Sequence, residues 1–239
     1  MSTRPLEPRD IRLISQASPF RDLTDEARAE VVASARKVVL RPGQFLFREG
    51  ARADSVYLVL SGRLKVLQTS NEGQSVVLRL AGPGELLALV AALGERDEYP
   101  VSAQALQTCV AARWTGQDMW KLLERYPGIG AASLRLVLQR LQELQKQYRE
   151  LATERVERRI ARALLRLVRQ AGTRVETGVR IDMPLTRQDL AEMSGTTLYT
   201  VSRVLSAWTE RGLLESKRKL ITLLRPHELV AIAEDLPGP

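Results

Sequence analysis

TRQDLAEMSGTTLYTVSRVLSAWTERG, residues 186–212, reads as two short helices around a tight corner. Thr186 is placed to cap the first helix: its hydroxyl can accept from an orphan backbone N–H, and Asp189 can reach back three residues later. Leu190 and Met193 give that helix an apolar side, small Ala191 admits a close neighbour, and Gly195 frees the backbone at the corner. Thr197 caps a second helix whose apolar positions, Val201, Val204, Leu205 and Trp208, recur at helical spacing until Gly212 ends it. The side left over presents Tyr199, Ser202 and Arg203, groups able to reach base edges.

Two helices about a glycine-containing turn fit a helix-turn-helix, whose second helix enters the major groove; a plain helical hairpin in a core has the same pattern. The next residues separate the two. LLESKRKLITLL, 213–224, predicts strand, basic turn and strand, a β-hairpin wing with Lys217, Arg218 and Lys219 at its tip to meet phosphate. The pair is therefore a winged helix-turn-helix, and double-stranded DNA is the expected partner.

With 239 residues, 44% hydrophobic and 27% charged, the chain has room for two modest domains. The longest apolar run, LLALVAAL at 86–93, is too short to cross a bilayer, so no membrane partner is expected. The N-terminal residues lack the layout of a secretory signal. A single cysteine, Cys109, excludes an intramolecular disulfide framework and makes a reducing cytoplasm the expected location. The net charge of +8 suits an anionic partner. Residues 154–225 hold 15 Lys/Arg against 8 Asp/Glu, so the excess surrounds the helix-turn-helix.

Upstream the texture differs. Residues 1–18 predict a loose arm, and Ser18 to Lys37 a short helix capped by Thr24. Short β-rich runs punctuated by glycines at 43, 50, 62, 73 and 84 predict an antiparallel β-roll or jelly roll, interrupted by a small apolar helix at 86–93. Strands resume at 99–107 and 108–114, and Gly116 to Tyr126 predicts a helix burying Trp120, Leu122 and Leu123 before a break at Pro127. From Ile129 to Leu151 one long helix is expected. Its Leu134, Val137, Leu141, Leu144, Tyr148 and Leu151 form a heptad seam that can face its own domain or a partner. Leu136 and Leu138 supply a second apolar side to cover the roll, which frees the seam for a parallel homodimer.

Thr153 is expected to cap a helix at 154–171 with Val156, Ile160, Ala163, Leu164 and Leu167 as core and mostly solvent-facing arginines at 158, 159, 162, 166 and 169. A loop (172–180), a short strand (Ile181 to Leu185) and a final acidic helical turn (226–239) complete the chain. The fold class is α+β: a β-roll domain at 1–127, a dimerisation helix at 128–153 and a winged helix-turn-helix domain at 154–239.

RPGQFLFREG (41–50), VYLVLSGRLKV (56–66), LAGPGELL (80–87), ERRIARALLRL (157–167), PLTRQDLAEMSGTT (184–197) and TVSRVL (200–205), in this order and spacing, resemble the cyclic-AMP receptor protein / fumarate–nitrate reduction regulator (CRP/FNR) family of bacterial transcription regulators. The likeness runs from about residue 19 to 232. It implies a homodimer on a near-palindromic site, an effector at the β-roll and RNA polymerase as a further partner.

The family's nucleotide-holding residues do not carry over. The ribose-binding Glu and the Arg-Ser pair fall on Leu89, Tyr99 and Pro100, and the purine contact on Leu144, so cyclic AMP is not expected in that manner. A shift of one or two residues would put Arg96 in the phosphate role. The candidate effector pocket is therefore Gly84, Glu85, Leu86, Leu87, Leu89, Arg96, Tyr99, Pro100 and Leu144, open to a small apolar or diatomic ligand or else packed shut. An iron–sulfur cluster needs about four thiolates, and the chain has one cysteine. Haem held by Cys109 or the terminal amine stays an alternative; the one histidine, His227, lies beyond the wing.

The family's Arg–Glu–three residues–Arg readout falls on Leu198, Tyr199 and Arg203, of which only Arg203 matches. Arg203 is suited to guanine O6 and N7, and Leu198 to a thymine methyl. Thr186, Arg187, Gln188, Thr197 and Lys217 to Lys219 are candidate phosphate contacts. Two rival classes stand beside this reading. A metal enzyme on the jelly roll lacks the clustered His and carboxylates it would need, so no enzyme is expected. A packaging protein that binds DNA without sequence preference has the same charge distribution.

Overall fold

The computed structural model describes residues 2–94, 98–217 and 219–236. They form two compact units, residues 1–68 with 78–142, and residues 69–77 with 143–239. In chain order the described elements are β1 (Ser2–Arg4), α1 (Pro8–Gln16), α2 (Asp25–Ala33), β2 (Arg36–Leu40), β3 (Phe45–Phe47), β4 (Ser55–Ser61), β5 (Leu64–Thr69), β6 (Ser75–Ala81), β7 (Leu86–Leu87), α3 (Val90–Leu93), β8 (Ser102–Ala105), β9 (Cys109–Thr115), α4 (Gly116–Arg125) and α5 (Pro127–Thr153). There follow α6 (Val156–Ala171), β10 (Gly172–Val175), β11 (Gly178–Ile181), α7 (Arg187–Ser194), α8 (Leu198–Glu210), β12 (Leu214–Lys217), β13 (Leu220–Leu223) and α9 (Pro226–Glu234).

The β-roll has two antiparallel sheets, ordered β1-β2-β9-β4-β7 and β3-β8-β5-β6. Period-two alternation sorts the side chains of β4. Tyr57 and Val59 point into the roll with Phe47, Leu64 and Ala103. Val56, Leu58 and Leu60 point the other way, onto a second core with Phe20, Trp114, Met119 and Ile129. This central strand is buried on both faces, and the helices cover the outer one.

Several elements differ from expectation. Among the described residues the loose arm expected over 1–18 is not found: α1 starts at Pro8, and the amide of Glu7 donates to Asp10 Oδ2 at 2.9 Å. Lys37, buried on β2, ties that turn down through Glu7 (2.7 Å) and Asp10 (2.8 Å), about thirty residues away in sequence. The break expected after Tyr126 is present, α4 ending at Arg125, but Pro127 is itself the first residue of α5, where its missing N–H costs nothing. On α4 the buried residues are Gly116, Met119 and Leu122, while Trp120 is 43% exposed. Leu138 is also exposed rather than laid on the roll.

In the second unit, a sheet ordered β10-β11-β13-β12 lies beside α6–α9. The segment expected as a loop is the β10–β11 hairpin, in which Thr173 pairs with Arg180; β11 then pairs with β13 through Val179 and Leu223. The strand ends at Ile181, not Leu185. Thr153 does not cap α6; its hydroxyl donates back to Arg149 O inside α5, and Arg155 stands at the N-cap. The α6 arginines are engaged rather than solvent-facing, apart from exposed Arg169. Glu150, 4% exposed, takes Arg162 at 3.2 Å and Arg166 at 2.9 Å, and Arg158 pairs with Glu154 at 2.7 Å. Among the described residues no helix is long and apolar enough to cross a membrane.

Candidate nucleic-acid interface and effector region

The helix-turn-helix is built by its caps. Thr186 Oγ1 accepts from the amide of Asp189 at 3.0 Å, and Asp189 Oδ2 accepts the amide of Thr186 at 3.0 Å. Gly195 stands at φ +60° between α7 and α8, a left-handed conformation that disfavours side chains with a Cβ. Arg159 closes the end of α7 from outside: Nε donates to Ser194 O (2.9 Å) and Nη2 to Gly195 O (3.0 Å). Thr197 Oγ1 then accepts from the amide of Thr200 at 3.2 Å and starts α8.

Helix α8 has two sides of opposite character. Val201, Val204, Leu205 and Trp208 are buried. Leu198, Tyr199 and Arg203 are exposed, Tyr199 to 77%, with Ser202 half-buried beside them. The pairs 198/202 and 199/203 are each one turn apart, so all four share the N-terminal half of one face. Of the expected phosphate contacts, Arg187 is exposed and Gln188 Nε2 donates to Glu192 Oε1 at 3.0 Å. Thr186 and Thr197 are occupied as caps. Lys217 pairs with Glu215 at 2.5 Å on the wing, Lys219 forms its turn at φ +71°, and Arg218 lies outside the described residues.

The expected effector residues fall on several elements of the roll and on α5. Gly84 and Glu85 form a turn on the rim of the roll, with the amide of Gly84 donating to Val59 O at 2.8 Å. Leu86 and Leu87 pair with β4, Leu87 facing the roll core and Leu86 the helices. Leu89 heads α3 on the helical side, and Arg96 lies outside the described residues. Pro100 is exposed and its carbonyl accepts from Gln68 Nε2 at 3.0 Å; Leu144 is exposed on α5. Tyr99 is different. It is buried with Leu87, its ring centroid 4.5 Å from that of Phe47, and its hydroxyl donates to Ser55 O (3.0 Å) and accepts from Ser55 N (3.1 Å). Burial pushes its phenol well above the ordinary value.

Sequence reasoning missed the charges around Glu85. Arg79 Nη1 and Arg140 Nη2 each lie 2.6 Å from Glu85 Oε2, and the amide of Gly82 donates to Oε1 at 3.1 Å. Burial lowers the nearby Arg63 guanidinium, with Glu85 opposing it. Arg140 stands midway along α5, so a charged joint fixes the middle of the long helix to the Gly82–Glu85 turn. Nothing in the spacing of residues 79, 85 and 140 announces this, because the chain meets itself only after folding.

Two family models match, "Cyclic nucleotide-binding domain" over residues 37–126 and "Crp-like helix-turn-helix domain" over residues 158–232. The chain is 33% identical over 172 residues to the cyclic AMP receptor protein of Thermus thermophilus, covering 72% of this chain and 76% of that one. The chain belongs to the CRP/FNR family of transcription regulators. Another relative of this CRP/FNR protein is the transcriptional activator protein anr of Pseudomonas aeruginosa, 29% identical over 204 residues, 85% of this chain and 82% of that one. In fold it is similar to the c-di-GMP responsive global regulator CLP of Xanthomonas campestris, with TM-score 0.74 and 23% identity over 84% of this chain and 99% of that chain. These relatives are regulators of transcription, not enzymes, and family members typically form dimers.

Proposed function

We propose that this CRP/FNR protein is a cytoplasmic homodimer that reads a near-palindromic site in double-stranded DNA. The roll (1–127) is its control domain, the long-helix segment (128–153) its dimer contact and the winged helix-turn-helix (154–239) its reading head. One observation carries the proposal: α8 buries one side completely and turns Leu198, Tyr199, Ser202 and Arg203 outward on the other. A recognition helix must be held rigidly by one face and read with the other. Arg203 supplies the bidentate contact to guanine, Leu198 meets a thymine methyl, and Tyr199 shifts the preferred half-site away from the Arg–Glu pattern. Arg187, the α7 and α8 N-termini and the wing lysines hold phosphate. Leu134, Val137, Leu141, Leu144, Tyr148 and Leu151, all exposed on α5, form the contact between copies.

Control enters at the roll, where the Glu85–Arg140 joint connects the Gly82–Glu85 turn to α5. The burial of Tyr99 favours a second reading, in which the roll core is already filled and activity follows the amount of protein. RNA polymerase is the partner through which a bound dimer would act. Selection from random duplex DNA tests the core of this reading. It should enrich a two-fold motif with half-sites about one helical turn apart. A packaging protein would enrich none and would show only a steep loss of affinity with salt.

A further inference from the structure

Helices α3, α4 and the start of α5 enclose an apolar groove of about 470 Å³ that DNA reading does not use. Leu89 and Leu93 form one wall, and Trp120 and Leu123 the other. Ser133 of α5 forms the floor, 2% exposed, and Leu134 and Val137 line the edge where the groove runs into the heptad seam. An exposed tryptophan and leucine beside one continuous apolar surface mark a contact site.

The heptad register says what reaches it. With Leu134, Leu141 and Tyr148 at a and Val137, Leu144 and Leu151 at d, Ser133 is a g residue and Leu138 an e residue. In a parallel pair of helices, a g side chain faces the e side chain of the following heptad on the other helix. These positions commonly hold opposite charges; here they hold a small floor and an exposed leucine. We propose that Leu138 of the partner subunit inserts over Ser133 into this groove, between Leu93 and Trp120, once on each side of the dimer. The inference rests on the parallel dimer proposed above. It supplies what that dimer lacks, because a seam of two and a half heptads falls short of the three or four that a coiled coil usually sustains alone.

Three measurements on the full chain test it. Trp114 and Trp208 are buried, so Trp120 is the tryptophan whose emission should respond to a partner. Emission should shift to the red as dilution dissociates the dimer. Mixing Ser133→Cys chains with Leu138→Cys chains under mild oxidation should give a disulfide-linked pair, and either variant alone should give little. Cys109, fully buried, does not compete. Leu138→Ala should raise the dimer dissociation constant about 10-fold or more, with two sites lost per dimer, and Leu138→Met should recover most of it. Leu138 is exposed in the single subunit, so circular dichroism should show both variants folded.

A dimer by sedimentation with no cross-link and dilution-insensitive Trp120 emission would overturn the insertion and leave the dimer standing. A chain that stays monomeric at every concentration would remove the dimer itself. Blue-shifted Trp120 emission in a monomer, traced by mass spectrometry to a retained small molecule, would assign the groove to a ligand instead.

Discussion

Leu151 packs so closely on Gly195 that a β-carbon on the glycine would lie 2.5 Å from Leu151 Cδ1. One residue closes the seam of α5 and the other forms the corner of the helix-turn-helix. Gly195→Ala meets a left-handed backbone (φ +60°) and must also push aside the half-exposed end of the Leu151 side chain, and should cost about 1–2 kcal/mol. Gly212→Ala has a similar φ of +69° but open space, so it should lose only the conformational part, about 1 kcal/mol. Thermal melts of the two variants compare them directly.

Glu150 faces Arg162 and Arg166 at the junction of α5 and α6. Glu150→Ala takes the carboxylate from Arg166 and leaves Arg162 with only Glu154 and Glu234, each at 3.6 Å, in a largely dry site. Because both arginines keep some access to water, the expected loss is on the order of 2–4 kcal/mol, read by denaturant unfolding.

On DNA the two classes of contact should separate. Arg203→Ala should lose about 1–3 kcal/mol and relax base preference at one position of each half-site. Lys219→Gln should weaken all sequences alike and make the dependence on salt less steep. Site selection with each variant, and salt titrations with Lys219→Gln, give the answer.

What the sequence made legible was local. Thr186, Asp189, Gly195 and Thr197 act within a few residues, and the periodicity of Val201 to Trp208 is that of a helix, so the reading head could be placed residue by residue. The seam was also legible as a pattern, and its exposure on α5 agrees with that pattern. What stayed hidden depends on distant partners. Helix α1 is polar and proline-bearing, and Lys37 holds it down from the next sheet. The β10–β11 hairpin has few apolar residues and owes its order to pairing with β13. Trp120 has the periodicity of a buried residue, yet α4 already fills its inner side with Met119 and Leu122. The arginines of α6 read as a solvated face because their carboxylates lie on other elements.

Cys109 is fully buried, and its thiol donates to Arg63 O at 3.0 Å and Gln107 O at 3.2 Å. Burial pushes the thiol above its ordinary value of 9.0, so the folded state favours the neutral form. Its contribution to stability is complete below that value and is lost as pH rises through it toward the folded pKa. Lys37 is also raised, by Asp10 first and Glu7 second, and adds a loss at still higher pH, above 10.5. Iodoacetamide at pH 8 should leave the native thiol unmodified and label it promptly in denaturant; stability should fall as pH rises above about 9.

The central claim is that two copies read one site together. Native mass spectrometry of the protein on a duplex carrying a single selected site measures this most directly. The account predicts a complex of two chains per duplex, with neither a one-chain species of comparable abundance nor further loading as the duplex lengthens. One chain per site, or a stoichiometry that grows with DNA length, would contradict it.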